Sequence, residues 1–290
     1  MAIKLGGGGG SASQINEIVY LNDSADTVTL DDGRVYLKGS VYETTVSNYP
    51  DAFTSYQPAG LNFSVASQDT QPNGVTTDGT NFYVVGSQNN KIYKYNSSGV
   101  LTWQVTTTSQ GSNPTGITWM GSYLWVLLGS SAYKYRASTG VYVGPSIFMG
   151  SQDSSPVGIT NDGTYFWMVG AANKKVYKYN TSGTYQSVSF SVASQTSAPE
   201  DITWDGTYFY VLDAYQKVYK YNASGVYQGV AFKSSANTAP RGIVSKGGGD
   251  TSFFITGRTA QSVSEYKPAV GVSSNNTAVA GVGQNYVRVK

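Results

Sequence analysis

A repeat of about 42 residues runs through most of this 290-residue chain and limits what it can fold into. Five prolines mark its period: Pro72, Pro114, Pro156, Pro199 and Pro240, spaced 42, 42, 43 and 41 residues apart. Behind each comes a Gly-Ile-Thr-like segment, usually a Gly turn, then an aromatic segment and a Tyr-Lys-Tyr segment. The third copy begins PVGITNDGTYFWMVGAANKKVYKYNTSG. It reads as four strands, Gly158–Asn161, Tyr165–Gly170, Lys175–Asn180 and Tyr185–Ala193, separated by Asp-Gly and Ser-Gly turn chemistry. Four short strands at this period are the signature of a propeller blade. The expected fold is all-β, a five-bladed β-propeller with a small N-terminal β module.

Ring closure is also legible. The fifth copy stops after its third strand, SVSEYKP at Ser262–Pro268, while an orphan fourth strand, NFSVASQ at Asn62–Gln68, precedes the first copy. That early strand nearly duplicates SFSVASQ at Ser189–Gln195, so it is expected to complete the last blade. A closed ring leaves only short edges exposed. Around it the chain divides into a flexible Gly-rich leader (1–13), a small β docking module (14–53), the propeller (54–268) and a low-complexity tail (269–290) with a possible final strand, NYVRVK.

Composition narrows the chemistry. The chain has no Cys and no His, which removes disulfides, thiolate catalysis, Ser-His-Asp triads and zinc-histidine sites. Charged residues make up 12%, about half the usual ~25%, and Gly, Ser, Thr, Asn and Tyr take their place. The formal charge is +2 with no basic stripe, so nucleic acid is not an expected partner. No apolar run is long enough to span a bilayer, and MAIKLGGGGG lacks the apolar core of a secretory signal. A hydroxyl- and amide-rich surface on a chain made in a cytoplasm fits a virion released at lysis.

The blade pattern resembles the NHL-type propeller repeat. PNGVTTDGTNFYVVGSQNNKIYKYNSSG, Pro72–Gly99, carries most of that motif, and the likeness extends as pattern over residues 61–267. The acidic residue that often follows the family's second strand survives only as Asp213. The resemblance implies a propeller but not an activity, because such repeats serve binding proteins and enzymes alike. The chain ends, MAIKLGGGGG, DGRVYL and YVRVK, resemble bacteriophage tail or other virion appendage proteins.

Recurrence separates scaffold from candidate site. Asp78, Asp162 and Asp205 each precede a Gly and read as turn residues. The Tyr-Lys-Tyr strands read as blade packing with solvated lysines. Turns between first and second, and third and fourth, strands hardly vary and lie on one face. Loops between second and third strands, and between blades, vary and lie on the other. Variable loops on a fixed scaffold carry recognition. The candidate ligand-binding residues are therefore Gln88, Asn89, Asn90, Asn173, Lys174, Tyr215, Gln216 and Arg258.

The expected function is a non-enzymatic bacteriophage virion appendage protein of tail-fibre or baseplate type. Residues 1–53 would dock to other virion proteins, and the propeller would bind host surface glycan or protein. It would need no cofactor or metal and no membrane insertion, and would act in multiple copies per particle. A purely structural virion protein, such as a capsid decoration or fibre collar, and a lectin-like cellular adhesin are the alternatives. A glycan-cleaving enzyme would need two convergent carboxylates, and no second recurring acidic set stands out beside the turn aspartates.

Overall fold

The computed structural model describes residues 56–268, together with the backbone of five short strands outside them. Residues 56–268 form five four-stranded antiparallel sheets, one per repeat. Blade 1 runs Pro72–Thr77, Phe82–Gly86, Lys91–Tyr95 and Leu101–Thr106. Blade 2 runs Pro114–Met120, Tyr123–Leu128, Ser131–Arg136 and Ile147–Phe148. Blade 3 runs Pro156–Asn161, Phe166–Gly170, Lys175–Tyr179 and Tyr185–Ser191. Blade 4 runs Pro199–Trp204, Tyr208–Asp213, Lys217–Asn222 and Tyr227–Lys233. Blade 5 runs Pro240–Gly247, Asp250–Gly257, Ser262–Pro268 and, from the start of the unit, Tyr56–Ser64.

The ring closes as expected, with Tyr56–Ser64 antiparallel to Ser262–Pro268. The closing strand begins six residues earlier than the sequence indicates. It also ends earlier, because Val65 O accepts from the Gln68 and Asp69 amides and folds Val65–Gln68 into a turn. Blade 2 departs most from the repeat. Its outer strand keeps only two residues, after Gly144-Pro145, where Pro145 has no N–H to give a ladder.

The innermost strands meet around the axis, each touching the next from blade 1 round to blade 5 and back. Glycine makes this approach possible. A Cβ on Gly74 would lie 3.1 Å from the Gly116 Cα, one on Gly116 would lie 3.1 Å from the Gly158 Cα, and one on Gly242 would lie 2.8 Å from the Gly74 Cα. Blade 4 places Asp201 at this position. Its carboxylate, fully buried, accepts the Ile202 amide (2.8 Å) and, across to blade 5, the Ile243 amide (2.9 Å). Burial raises its pKa well above the usual carboxylate range despite those bonds. Thr76 and Thr203 hydroxyls accept backbone amides of the next blade, from Trp119 (3.1 Å) and Ser245 (2.9 Å).

The core lies between blades and is mostly aromatic. Tyr93, Tyr95, Tyr135, Tyr179 and Tyr221, from the Tyr-Lys-Tyr strands, are all at most 1% exposed. The intervening lysines are not simply solvated. Lys134, Lys178 and Lys220 lay their Nζ atoms 3.9, 3.8 and 3.6 Å from the ring centroids of Tyr123, Tyr165 and Tyr208, at or just before the start of the adjoining strand. Each ring quadrupole attracts the cation by about 0.5–1 kcal/mol.

Outside the propeller, Val35–Lys38 pairs on one side with Thr27–Thr29 and on the other with Tyr286–Val289. Glu43–Thr44 pairs with Thr277–Ala278. These short strands belong to a separate unit of residues 1–55 and 269–290. The expected leader, residues 1–13, lies outside the described residues, as does most of the expected docking module.

Gly242→Ala places a methyl against backbone, which cannot move aside as a side chain can. The expected cost is about 1–3 kcal/mol, or ~2–4 °C in Tm per kcal/mol for a domain of this size. Gly163→Ala meets open space at a φ of +88°, so it carries only backbone strain and is expected to cost less. Thermal melts of the two variants compare them directly.

Candidate functional site

The turn face is built from polar residues that repeat because they satisfy the backbone. Asp78 Oδ1 accepts the Thr80 and Asn81 amides at 2.9 and 2.6 Å, and its Oδ2 accepts the Tyr83 hydroxyl at 2.8 Å. Asp162 does the same for Thr164, Tyr165 and the Trp167 indole, and Asp205 for Thr207, Tyr208 and the Tyr210 hydroxyl. Each aspartate therefore closes its turn and holds the polar tip of a second-strand aromatic. Asn96, Asn180 and Asn222 close the other turns by accepting two amides apiece.

The loop face has its own scaffold, which sequence reading took for variable. Gln68, Gln110, Gln152 and Gln195 lie four residues before the blade prolines. Each accepts at its Oε1 the hydroxyl of the buried tyrosine at or next to the end of the third strand: Tyr95 (3.4 Å), Tyr135 (3.1 Å), Tyr179 (3.1 Å) and Tyr221 (3.3 Å). Blade 5 has Ala236 in that place. The buried Tyr266 hydroxyl has no glutamine partner there, and burial, partly offset by the Ala236 backbone, pushes its pKa up to about 12.

A second device holds the loop between second and third strands. Asp69 accepts the Gln71, Gln88 and Asn89 amides, and Asp153 accepts those of Ser155, Ala172 and Asn173. Both stand against a glycine, Gly86 or Gly170, whose added Cβ would overlap the carboxylate. In blade 4 the glycine position is Asp213, which accepts the Tyr215 and Lys217 amides and the Tyr219 hydroxyl. The acidic residue is thus present in three blades but reaches its loop from opposite sides.

These devices sort the eight candidate residues. Asn89 and Asn173 each turn their amide onto a loop carbonyl, Gln68 O (2.7 Å) and Gln152 O (2.8 Å). Asn90, Lys174 and Gln216 occupy one equivalent position with φ of 51°, 52° and 72°, and their carbonyls accept the amides of Thr107, Val192 and Ser234. Asn90 Oδ1 also takes the Asn113 amide at 2.6 Å. Gln88 is exposed and touches Gln71 at 3.3 Å. Tyr215 projects from its loop with 61% of its surface exposed. Arg258 turns inward, giving Nε and Nη2 to Asn73 Oδ1 at 3.2 and 3.0 Å.

Arg258 leads to a group that the loop reading did not assemble. The residue after each blade proline, at the loop-face end of the innermost strands, is Asn73, Thr115, Val157, Glu200 or Arg241. Asn73 Nδ2 donates to Pro114 O of the next blade at 2.8 Å. Arg241 Nη1 pairs with Glu200 Oε1 across the blade 4–blade 5 boundary. Burial holds the Glu200 carboxyl above its ordinary pKa even beside Arg241. Burial and the Arg241 charge disfavour the Arg258 cation and outweigh the opposing pull of the Glu200 and Asp69 carboxylates. The sequence signal was available: these five positions repeat in place yet differ in every blade.

A cleft of about 400 Å³ opens between blades 2 and 3, lined by Met120, Tyr123, Trp125, Lys134, Ile147 and Phe166 among others. Its origin is the reduced outer strand of blade 2. Phe63 and Phe190 fill the corresponding grooves beside Gly99 and Gly225, whereas the smaller Ile147 stands beside Gly183. Of the two tryptophans before the Gly turns, Trp204 packs on Phe209 at 4.4 Å, and Trp119 packs against the core between blades 1 and 2.

No family model and no curated relative matches the chain. Among solved structures it is similar to a glutaminyl cyclase from Myxococcus xanthus, with 12% identity and a TM-score of 0.61 over 79% of this chain and 97% of that one. It also matches a virginiamycin B lyase from Staphylococcus aureus, with 16% identity and a TM-score of 0.46 over 88% and 86% of the two chains. These neighbours are β-propellers and include enzymes. At such identities the likeness concerns the fold alone.

Two measurements test the scaffold assignments. Ala236→Gln offers Tyr266 the partner its equivalents have and is expected to stabilise the protein by about 0.5–1.5 kcal/mol, read as a higher Tm. Burial alone would raise the Asp78 pKa, but the bonds from Asn81, Thr80 and Tyr83 outweigh it and hold the pKa below the usual carboxylate value. A depressed folded pKa gives stability that is present above the unfolded value near ~3.9 and lost as pH falls through the folded one. The Tm gap between the parent protein and Asp78→Asn is expected to narrow below about pH 4, a trend thermal melts across that range would show.

Proposed function

We propose that this protein is a non-enzymatic binding propeller of a bacteriophage virion, presenting its loop face to host surface glycan or protein. The observation that supports this most is the contrast between the two faces. Turn-face polar groups recur and are consumed by the backbone, whereas the loop face carries unrepeated side chains, the exposed Tyr215 foremost, that the scaffold does not use up. Among the described residues the carboxylates are already employed. Asp78, Asp162 and Asp205 close turns, and Asp69, Asp153 and Asp213 hold loops. Asp201 binds innermost-strand amides, and Glu200, Asp250 and Glu265 face Arg or Lys. Such commitments do not favour an acid–base pair.

The low-charge, hydroxyl-rich composition and the phage-like chain ends support the virion setting, with residues 1–53 as the docking segment. The NHL-like pattern supports a binding use of the propeller as readily as any other. Weak contacts at each loop face would be multiplied by copies on one particle.

Adsorption of the full chain to a panel of bacterial cells tests the reading. Tyr215→Ala is expected to weaken adsorption to the bound host by about fivefold, the effect of losing roughly 1 kcal/mol at an aromatic contact. Val141→Ser, at an exposed turn-face residue, is expected to leave it unchanged. If no cell is bound while residues 1–53 still carry the chain onto virion proteins, the receptor role is wrong and a structural virion role stands in its place.

A further inference from the structure

We propose that the loop-face mouth of the propeller axis is a carboxylate-binding subsite, so that the glycan taken by this face is an acidic one. The inference rests on the binding reading above and adds the ligand's chemical class.

Three observations carry it. Arg258 is half-buried, yet its guanidinium meets only the neutral Asn73 amide oxygen, and among the described residues no ion pair engages it. The Glu200 and Asp69 charges reach it without a direct ion pair, so guanidinium donors remain uncommitted. Its neighbour Arg241 gives Nη1 to Glu200, while its buried Nε has no acceptor at all. The two guanidiniums are close enough for the Arg241 charge to act on Arg258. Donors are therefore left over at one place, and they belong to the residue type whose planar fork suits a carboxylate.

Charge selects the ligand. Arg241 and Arg258 face two carboxylates, Glu200, which pairs with Arg241, and Asp69, whose charge also acts on Arg258. A sugar monocarboxylate brings one negative charge to the free guanidinium donors, whereas a phosphate dianion brings a second one against Glu200 and Asp69. Thr115 and Val157, at the equivalent positions of blades 2 and 3, are partly exposed, and Arg241 keeps 31% of its side chain exposed to a ligand. The site also sits where sequence reading expects recognition, at the ends of the variable loops.

Nitrogen-15 NMR of the arginine Nε–H groups, on the full chain, is the direct test. D-glucuronate, D-glucose and inorganic phosphate are titrated in turn. The expected result is a saturable shift of the Arg241 and Arg258 Nε–H signals with glucuronate and none with glucose. Arg258→Gln should weaken glucuronate binding by about tenfold with an unchanged pattern of backbone amide signals. Arg241→Gln provides a second variant should the first misfold. Equal shifts with phosphate or glucose, or none with glucuronate, overturn the proposal. If cells are bound and the Tyr215→Ala effect holds while glucuronate gives no shift, only the acidic-ligand inference fails. If glucuronate binds but no cell does, the host-adsorption reading fails and the carboxylate subsite stands.

Discussion

The close approach of five innermost strands around one axis is the constraint on which the rest of this molecule depends. Four of them meet their neighbours at a glycine because a Cβ there would enter the next backbone. The fifth carries Asp201, whose size is accommodated only because Gly158 faces it and because the next blade's Ile243 amide binds its carboxylate. From that contact the blades fan outward, and their widening gaps must be filled. Tyrosine, phenylalanine and tryptophan fill them, which explains why a chain with so few charges contains 24 Tyr.

Burying many tyrosines creates a second problem, since each hydroxyl needs a partner in a dry interior. The repeats supply that partner from loops that also set the chain's path: a glutamine ahead of each blade, or an aspartate at a turn. The same side chains therefore stabilise the core and shape the two faces. Where one partner is missing, as at Ala236, the fold carries a buried hydroxyl without its glutamine. Where an outer strand shrinks, as in blade 2, it carries a cleft. Local departures from the repeat are thus visible as local physical consequences.

The repeat made the blade count, the ring closure and the turn aspartates legible from sequence, because each follows from spacing and turn chemistry within one copy. The candidate site was legible only in part. Asn89 and Asn173 look free in sequence, but their amides bind carbonyls some twenty residues away in the chain, Gln68 and Gln152. Gln68, Gln152 and Gln195 likewise look like recognition residues until the buried tyrosines they serve are brought beside them. Conversely, Glu200, Arg241 and Arg258 lie in different blades or loops, and nothing short of the ring places them together. A rule emerges from these cases. Polar residues that recur at one blade position, even in irregular loops, serve the scaffold. Those that differ in every blade at a position the fold brings to the axis are the ones available for a ligand.

The most direct test of that rule compares Asp162→Ala, a recurring turn-face residue, with Arg258→Gln, an unrepeated one at the axis, measuring both Tm and adsorption to host cells. The account predicts that Asp162→Ala lowers Tm and leaves adsorption intact, while Arg258→Gln lowers adsorption and leaves Tm nearly unchanged. A loss of adsorption in the first variant at temperatures where it is folded, or a loss of stability without loss of adsorption in the second, would contradict it.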